Sequence, residues 1–137
     1  MAWLAATPKP DERTRRAKRE KDRPGISRLD AMKRHGVEPE MPVNPAPHII
    51  NRLIEVGLVE AAGMGASPMS WREINDWQRA TGVDLSAWEA RLLRRLSSEY
   101  LAEGRRAESE NCPPPWRAPV TAREREVEQA QLMTVLG

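Results

Sequence analysis

Phenylalanine is missing altogether from this 137-residue sequence, and the other aromatics are one Tyr and five Trp. There is a single cysteine, Cys112, which excludes an internal disulfide framework and fits a reducing compartment. No segment approaches the roughly 18 consecutive apolar residues that a membrane span requires. The opening Met1-Ala2-Trp3-Leu4-Ala5-Ala6 lacks the basic region and the full apolar core of a signal peptide, so no membrane association and a cytoplasmic location are expected. The two histidines, His35 and His48, both stand beside turn or proline positions, with no Ser/His/Asp spacing and no phosphate-cradling loop. Gly63-Met64-Gly65 is too short for a nucleotide fingerprint, follows no strand, and reads as a flexible linker. Cys112 and His48 are two scattered ligands and make no metal site. These absences lead us to expect no enzyme, no cofactor and no metal.

Proline is abundant, with 12 residues, and most of them fall outside the periodic stretch. Charge is unevenly placed: residues 1–36 hold 11 Lys/Arg against 5 Asp/Glu, so with a net charge of +2 the remainder sums to −4. A basic arm precedes a mildly acidic body. The run from Asp11 to Arg23 has helix-favouring residues but no apolar stripe to hold it to a core. Its basic residues are interspersed with Asp11, Glu12, Glu20 and Asp22, and no aromatic lies among them to stack on bases, so nucleic-acid binding is disfavoured. Ile26, Leu29 and Met32 predict a short helix ended by Gly36, and residues 37–47 an extended connector.

The compact part is expected over 44–104, between a basic, proline-interrupted N-terminal arm (1–43) and a C-terminal region (105–137) of proline-rich linker and amphipathic helix. Asn44-Pro45 suits a helix cap, with Pro47 able to delay the start. Ile49, Ile50, Leu53, Ile54 and Leu58 then form one helical face, predicting a helix over about 48–60. Ser70-Trp71-Arg72-Glu73 is a capping box, with Met69 and Ile74 placed for a hydrophobic staple. Gly82 suits the left-handed residue that stops this helix. A second capping box, Ser86-Ala87-Trp88-Glu89, opens a helix expected to reach about Glu103. The short connection between them predicts a helical hairpin over 70–103. The predicted core is Ile50, Leu53, Ile54, Trp71, Ile74, Trp77, Leu85, Trp88, Leu92, Leu96 and Tyr100.

The fold class expected is therefore all-α: a three-helix core carrying extended or partly disordered arms. A globular part of about 60 residues is marginal, burying roughly 60% of the surface its unfolded chain exposes, and such a domain often leans on a partner or on self-association. Asn111-Cys112-Pro113-Pro114-Pro115-Trp116 reads as polyproline II. Thr121-Ala122-Arg123-Glu124 starts a further helix, polar first and apolar at its end. Trp3 and Trp116 lie outside any periodic element, so each is an anchor either for a partner or for the body's own groove. Candidate partner-binding residues are Trp3, Leu4, Trp116, Leu132, Met133, Val135 and Leu136.

One string is familiar beyond its periodicity: Met64-Gly65-Ala66-Ser67-Pro68-Met69-Ser70-Trp71-Arg72-Glu73-Ile74, then Trp77, Thr81-Gly82 and Leu85-Ser86-Ala87-Trp88-Glu89-Ala90-Arg91. It continues through Leu93-Arg94-Arg95-Leu96-Ser97, Tyr100-Leu101-Ala102-Glu103 and Cys112-Pro113-Pro114-Pro115-Trp116. Over roughly residues 45–116 the chain resembles small tail assembly chaperones of tailed bacteriophages and prophages, encoded near the tail tube and tape-measure genes. The resemblance implies a cytoplasmic, non-enzymatic helper in virion assembly, which coats the tape-measure protein and recruits tail tube subunits. A structural tail component, present in the virion with its arms wrapped on neighbouring subunits, is the alternative. A nucleic-acid-binding regulator acting through the basic arm is the second. No residue-level site comes with the resemblance.

Overall fold

Three of the helices begin at a serine whose side chain caps the first turn, Ser27, Ser70 and Ser86, and two end on a glycine, Gly57 and Gly82. A computed structural model describes residues 1–20, 24–116 and 122–137. In chain order these form α1 (Ala2–Ala5), α2 (Arg15–Glu20), α3 (Arg28–Arg34), α4 (Pro47–Val56), β1 (Glu60–Ala62), β2 (Gly65–Ser67), α5 (Trp71–Thr81), α6 (Ala87–Arg106) and α7 (Ala122–Leu136).

The expectation of an all-α chain with a three-helix core and loose arms is overturned twice. First, the stretch read as a flexible linker holds an antiparallel hairpin, with Glu60 opposite Ser67 and Ala62 opposite Gly65. The two-residue loop Gly63-Met64 is tight enough that Gly65 takes φ 145°, a region that side chains avoid. Second, the N-terminal arm is docked, since α1 packs against both α6 and α3. Ser27 caps α3 by accepting from the Asp30 amide at 3.1 Å, and Gly36 follows that helix at φ 66°.

α4 is packed against both α5 and α6. Its start is delayed to Pro47, with Ala46 as cap and Asn44 Oδ1 accepting from the Ala46 amide at 3.0 Å. The second capping box forms in full: Ser86 Oγ accepts from the Glu89 amide at 3.2 Å, and Glu89 Oε2 from the Ser86 amide at 2.9 Å. The first forms by half. Ser70 Oγ accepts from the Glu73 amide, but the Ser70 amide donates to Glu60 Oε2 on β1, at 3.1 Å. The hairpin thereby takes over the position of Glu73. Gly82 closes α5 in the left-handed region at φ 69°. Gly104 does not stop α6, which runs on to Arg106.

The core consists of Ile49, Leu53, Met69, Ile74 and Leu93, with Leu58, Leu85, Leu92 and Leu96 packed partly buried around it. Met69 and Ile74, the predicted staple, are both fully buried. Of the predicted core positions, Leu53 and Ile74 are buried, while Ile50, Trp77 and Tyr100 are only partly covered. Three belong to the surface: Ile54 is 52% exposed, Trp71 46% and Trp88 63%. For Trp88 the cause is a rotation of α6 about its axis. Its inward line runs through Leu93 and Ser97, with Leu92 and Leu96 partly buried beside it and Trp88 turned outward, because a small residue at position 97 lets backbone approach closely. There the Ser97 hydroxyl accepts from the Met69 amide at 2.9 Å and donates to the Leu58 carbonyl at 2.7 Å. Both ends of the hairpin segment are thus pinned to α6, and two otherwise orphaned buried backbone groups are satisfied.

Candidate functional site

Three surfaces bear on function. The first is a clasp at the C-terminal end of α6. Arg28, at the first turn of α3, is 8% exposed. Its guanidinium donates to the carbonyls of Ala107 at 2.6 Å, Ser109 at 2.7 Å and Trp3 at 3.2 Å. It also lies over the Trp3 ring, 4.5 Å from the centroid. The end of a helix leaves carbonyls without partners and carries partial negative charge, so a cation there is doubly favoured. Trp3 in turn donates from Nε1 to the Cys112 carbonyl at 2.8 Å and meets Trp116 edge to face at 5.7 Å.

Leu4 is buried, and the Arg28 amide donates to the Ala6 carbonyl at 3.1 Å. Lys9 adds a backbone bond to the Glu108 carbonyl and an exposed ion pair with its carboxylate at 2.7 Å; pairs this open contribute little. Burial lowers the pKa of the Met1 α-amino group, partly offset by Glu103. Trp3 and Trp116, candidates for anchoring either a partner or the chain's own groove, thus meet each other within this chain, and Leu4, expected to bind a partner, is buried in it.

The second surface is α7. Every α7 side chain whose position is described is exposed, including Leu132, Met133, Val135 and Leu136. These four lie within one and a half turns, so a partner groove can engage several of them at once. Thr121, the expected cap of this helix, lies outside the described residues.

The third surface was not singled out from the sequence. Trp71 stands at the start of α5 with the Arg94 guanidinium 5.4 Å over its ring. Arg91, Arg94, Arg95 and Ser98 of α6 line a shallow groove of about 220 Å³ beside it. Spacings of three and four residues on a helix put these side chains together, and Trp88 continues the row one turn earlier. Among the described residues none of the three arginines has a carboxylate partner. The nearby Arg52 is different, because it pairs with Glu89. Glu89 itself is held below the usual carboxylate range, first by the Ser86 amide, then by the Ser86 hydroxyl and by Arg52.

Among the described residues no group of three or more His, Cys, Asp or Glu is placed to hold a metal ion, and no helix is long and apolar enough to cross a membrane. Cys112 is a free thiol. Compared with protein-family profiles, curated proteins and solved structures, the chain matches none.

Two functional residue sets escaped the sequence reading. The i, i+3, i+4 spacing of Arg91, Arg94 and Arg95 is a signal that could have found one of them. Arg28 had no such signal, since its role depends on carbonyls about 80 residues away, at Ala107 and Ser109.

Proposed function

We propose that this chain is a binding protein rather than an enzyme, and that it serves tail assembly as a chaperone of the tape-measure protein that helps recruit tail tube subunits. The observation that carries the binding reading is the solvent-exposed apolar end of α7. Leu132, Met133, Val135 and Leu136 are 58–83% exposed, large apolar side chains gathered at the end of α7 rather than along a stripe of the whole helix, and an exposed apolar cluster marks a site of protein contact. The narrower assignment to tail assembly is supported by the string spanning residues 45–116.

Co-expression with a phage tape-measure protein should raise that protein's soluble yield. Leu132→Asp/Leu136→Asp should abolish the gain without changing this chain's own melting temperature. The protein should also be missing from purified virions. Fixed stoichiometry in virions would replace the chaperone with a structural tail component. An unchanged yield of the tape-measure protein would end the chaperone reading.

A further inference from the structure

The arginine-lined face of α6 is a second candidate surface, remote in sequence from α7 and of opposite chemistry. Arg91, Arg94 and Arg95 fall within about one helical turn, some 6 Å of axial rise at 1.5 Å per residue. Like charges at these spacings repel one another, and among the described residues no carboxylate forms an ion pair with them. Arg94 lies over the exposed indole of Trp71, and Trp88 is more exposed still. Unpaired guanidiniums beside two open indoles form a surface that gains from an occupant bearing both carboxylates and apolar groups.

We propose that Trp71, Trp88, Arg91, Arg94, Arg95 and Ser98 form a docking site for an acidic segment of a partner protein. Guanidinium forks hold its carboxylates, and its apolar side chains cover the two indoles. The proposal rests on the protein-binding reading above but uses a different surface. Charge placement favours a short acidic peptide over nucleic acid. Residues 37–137 sum to −4, and the same helix carries Glu99 one turn beyond Arg95 and Asp84 just before its cap. A polyphosphate track would run from the arginines onto those carboxylates, whereas two or three peptide carboxylates fit between them.

The test titrates the full chain with an acetylated, amidated hexaglutamate peptide and, separately, with oligothymidylate. The readout is the indole N–H resonances of Trp71 and Trp88. The expected result is a saturable shift of both indoles with the peptide, weakening as salt is raised. Arg91→Gln/Arg94→Gln/Arg95→Gln should reduce affinity by about tenfold or more. Lys33→Gln/Arg34→Gln/Arg105→Gln removes the same charge elsewhere and should leave affinity nearly unchanged.

Should the triple arginine variant lose its fold, Ser98→Glu places a carboxylate in the groove and is expected to abolish peptide binding by itself. Equal losses in the two triple variants, no saturable indole shift, or tighter binding of oligothymidylate would each overturn the proposal. Leu132→Asp/Leu136→Asp should keep the peptide affinity. If it loses it, the peptide sits on α7 and the α6 site falls, while the α7 reading survives. If the peptide binds as expected but co-expression fails, the chaperone reading falls alone.

Discussion

The two ends of α6 are held by opposite chemistries. Its first half sits in an aliphatic core shared with α4, α5 and the hairpin segment, where Ile49, Leu53, Met69, Ile74 and Leu93 bury one another. Its last turn sits in a polar clasp, where one guanidinium gathers three carbonyls from two distant segments. Burial spreads its contribution over many contacts, none of them directional. The clasp concentrates its contribution in one side chain, so a single substitution can remove it. An aliphatic core tolerates swaps of similar volume, whereas no other residue can reproduce the fork of Arg28.

Breaking the core should have the largest effect. Leu93→Ala or Ile74→Ala should cost about 2–5 kcal/mol, read as a shift of the urea midpoint for the whole chain. Trp88→Ala, on the exposed side of the same helix, should stay within about 0.5 kcal/mol. If Trp88→Ala were as damaging as Leu93→Ala, the inward face of α6 would have to be drawn through Trp88 after all.

Breaking the clasp should cost less and act locally. Arg28→Met removes charge-assisted hydrogen bonds worth about 1.5–3 kcal/mol. Amide hydrogen exchange should quicken in α1 and α3 while α4 and α5 keep their protection. Uniform loss of protection would mean that clasp and core unfold as one unit.

A smaller effect distinguishes the halves by pH. The carboxyl pKa of Glu89 is lowered in the folded chain, so its contribution is present above the ordinary carboxylate range and is lost as pH falls through and below it. Glu89→Gln should therefore lower stability near neutrality and converge with the parent at acid pH, which flattens the acid limb measured by denaturant titration. An unaltered acid limb would show that the capping box and Arg52 do not hold the carboxylate.

The smallest effect is expected at Trp77, whose Nε1 is buried with no hydrogen-bond partner among the described residues. Trp77→Phe gives up some apolar area but removes an unsatisfied donor that costs about 1–3 kcal/mol. Melting temperature should stay close to the parent value or rise; a large drop would reveal a partner for that donor.

The helices were legible where local chemistry decides. Both serine caps, the staple at Met69 and Ile74 and the stop at Gly82 are contacts between neighbours in sequence, so spacing alone exposes them. The hairpin at 60–67 was hidden because its strands are three residues each and carry alanine, glycine and serine, with none of the β-branched alternation that marks a strand. Trp88 misled because apolar mass was taken for inwardness. The helix turns Ser97 inward instead, and a serine is read as core only once the two backbone groups it bridges are known. For the candidate sites, the apolar end of α7 was visible as composition. The meeting of Trp3, Arg28 and Trp116 was not, since tertiary proximity across such separations leaves no local pattern.

The bond from Trp3 to Cys112 spans 109 residues, and this gives the molecule a timetable. During synthesis α1 precedes its whole docking site, which is made from α3, the end of α6 and the segment after it. At 5–20 residues per second, roughly 5–20 s pass between translation of Trp3 and of Cys112. Throughout that interval α1 has only α3 to lean on, and the indole of Trp3 lacks the Cys112 carbonyl that it meets in the finished fold. Once the ribosome has delivered residue 112, Leu4 can become buried and Trp3 partly covered. A partner that meets this protein while it is being made therefore finds a different surface from one that meets it afterwards.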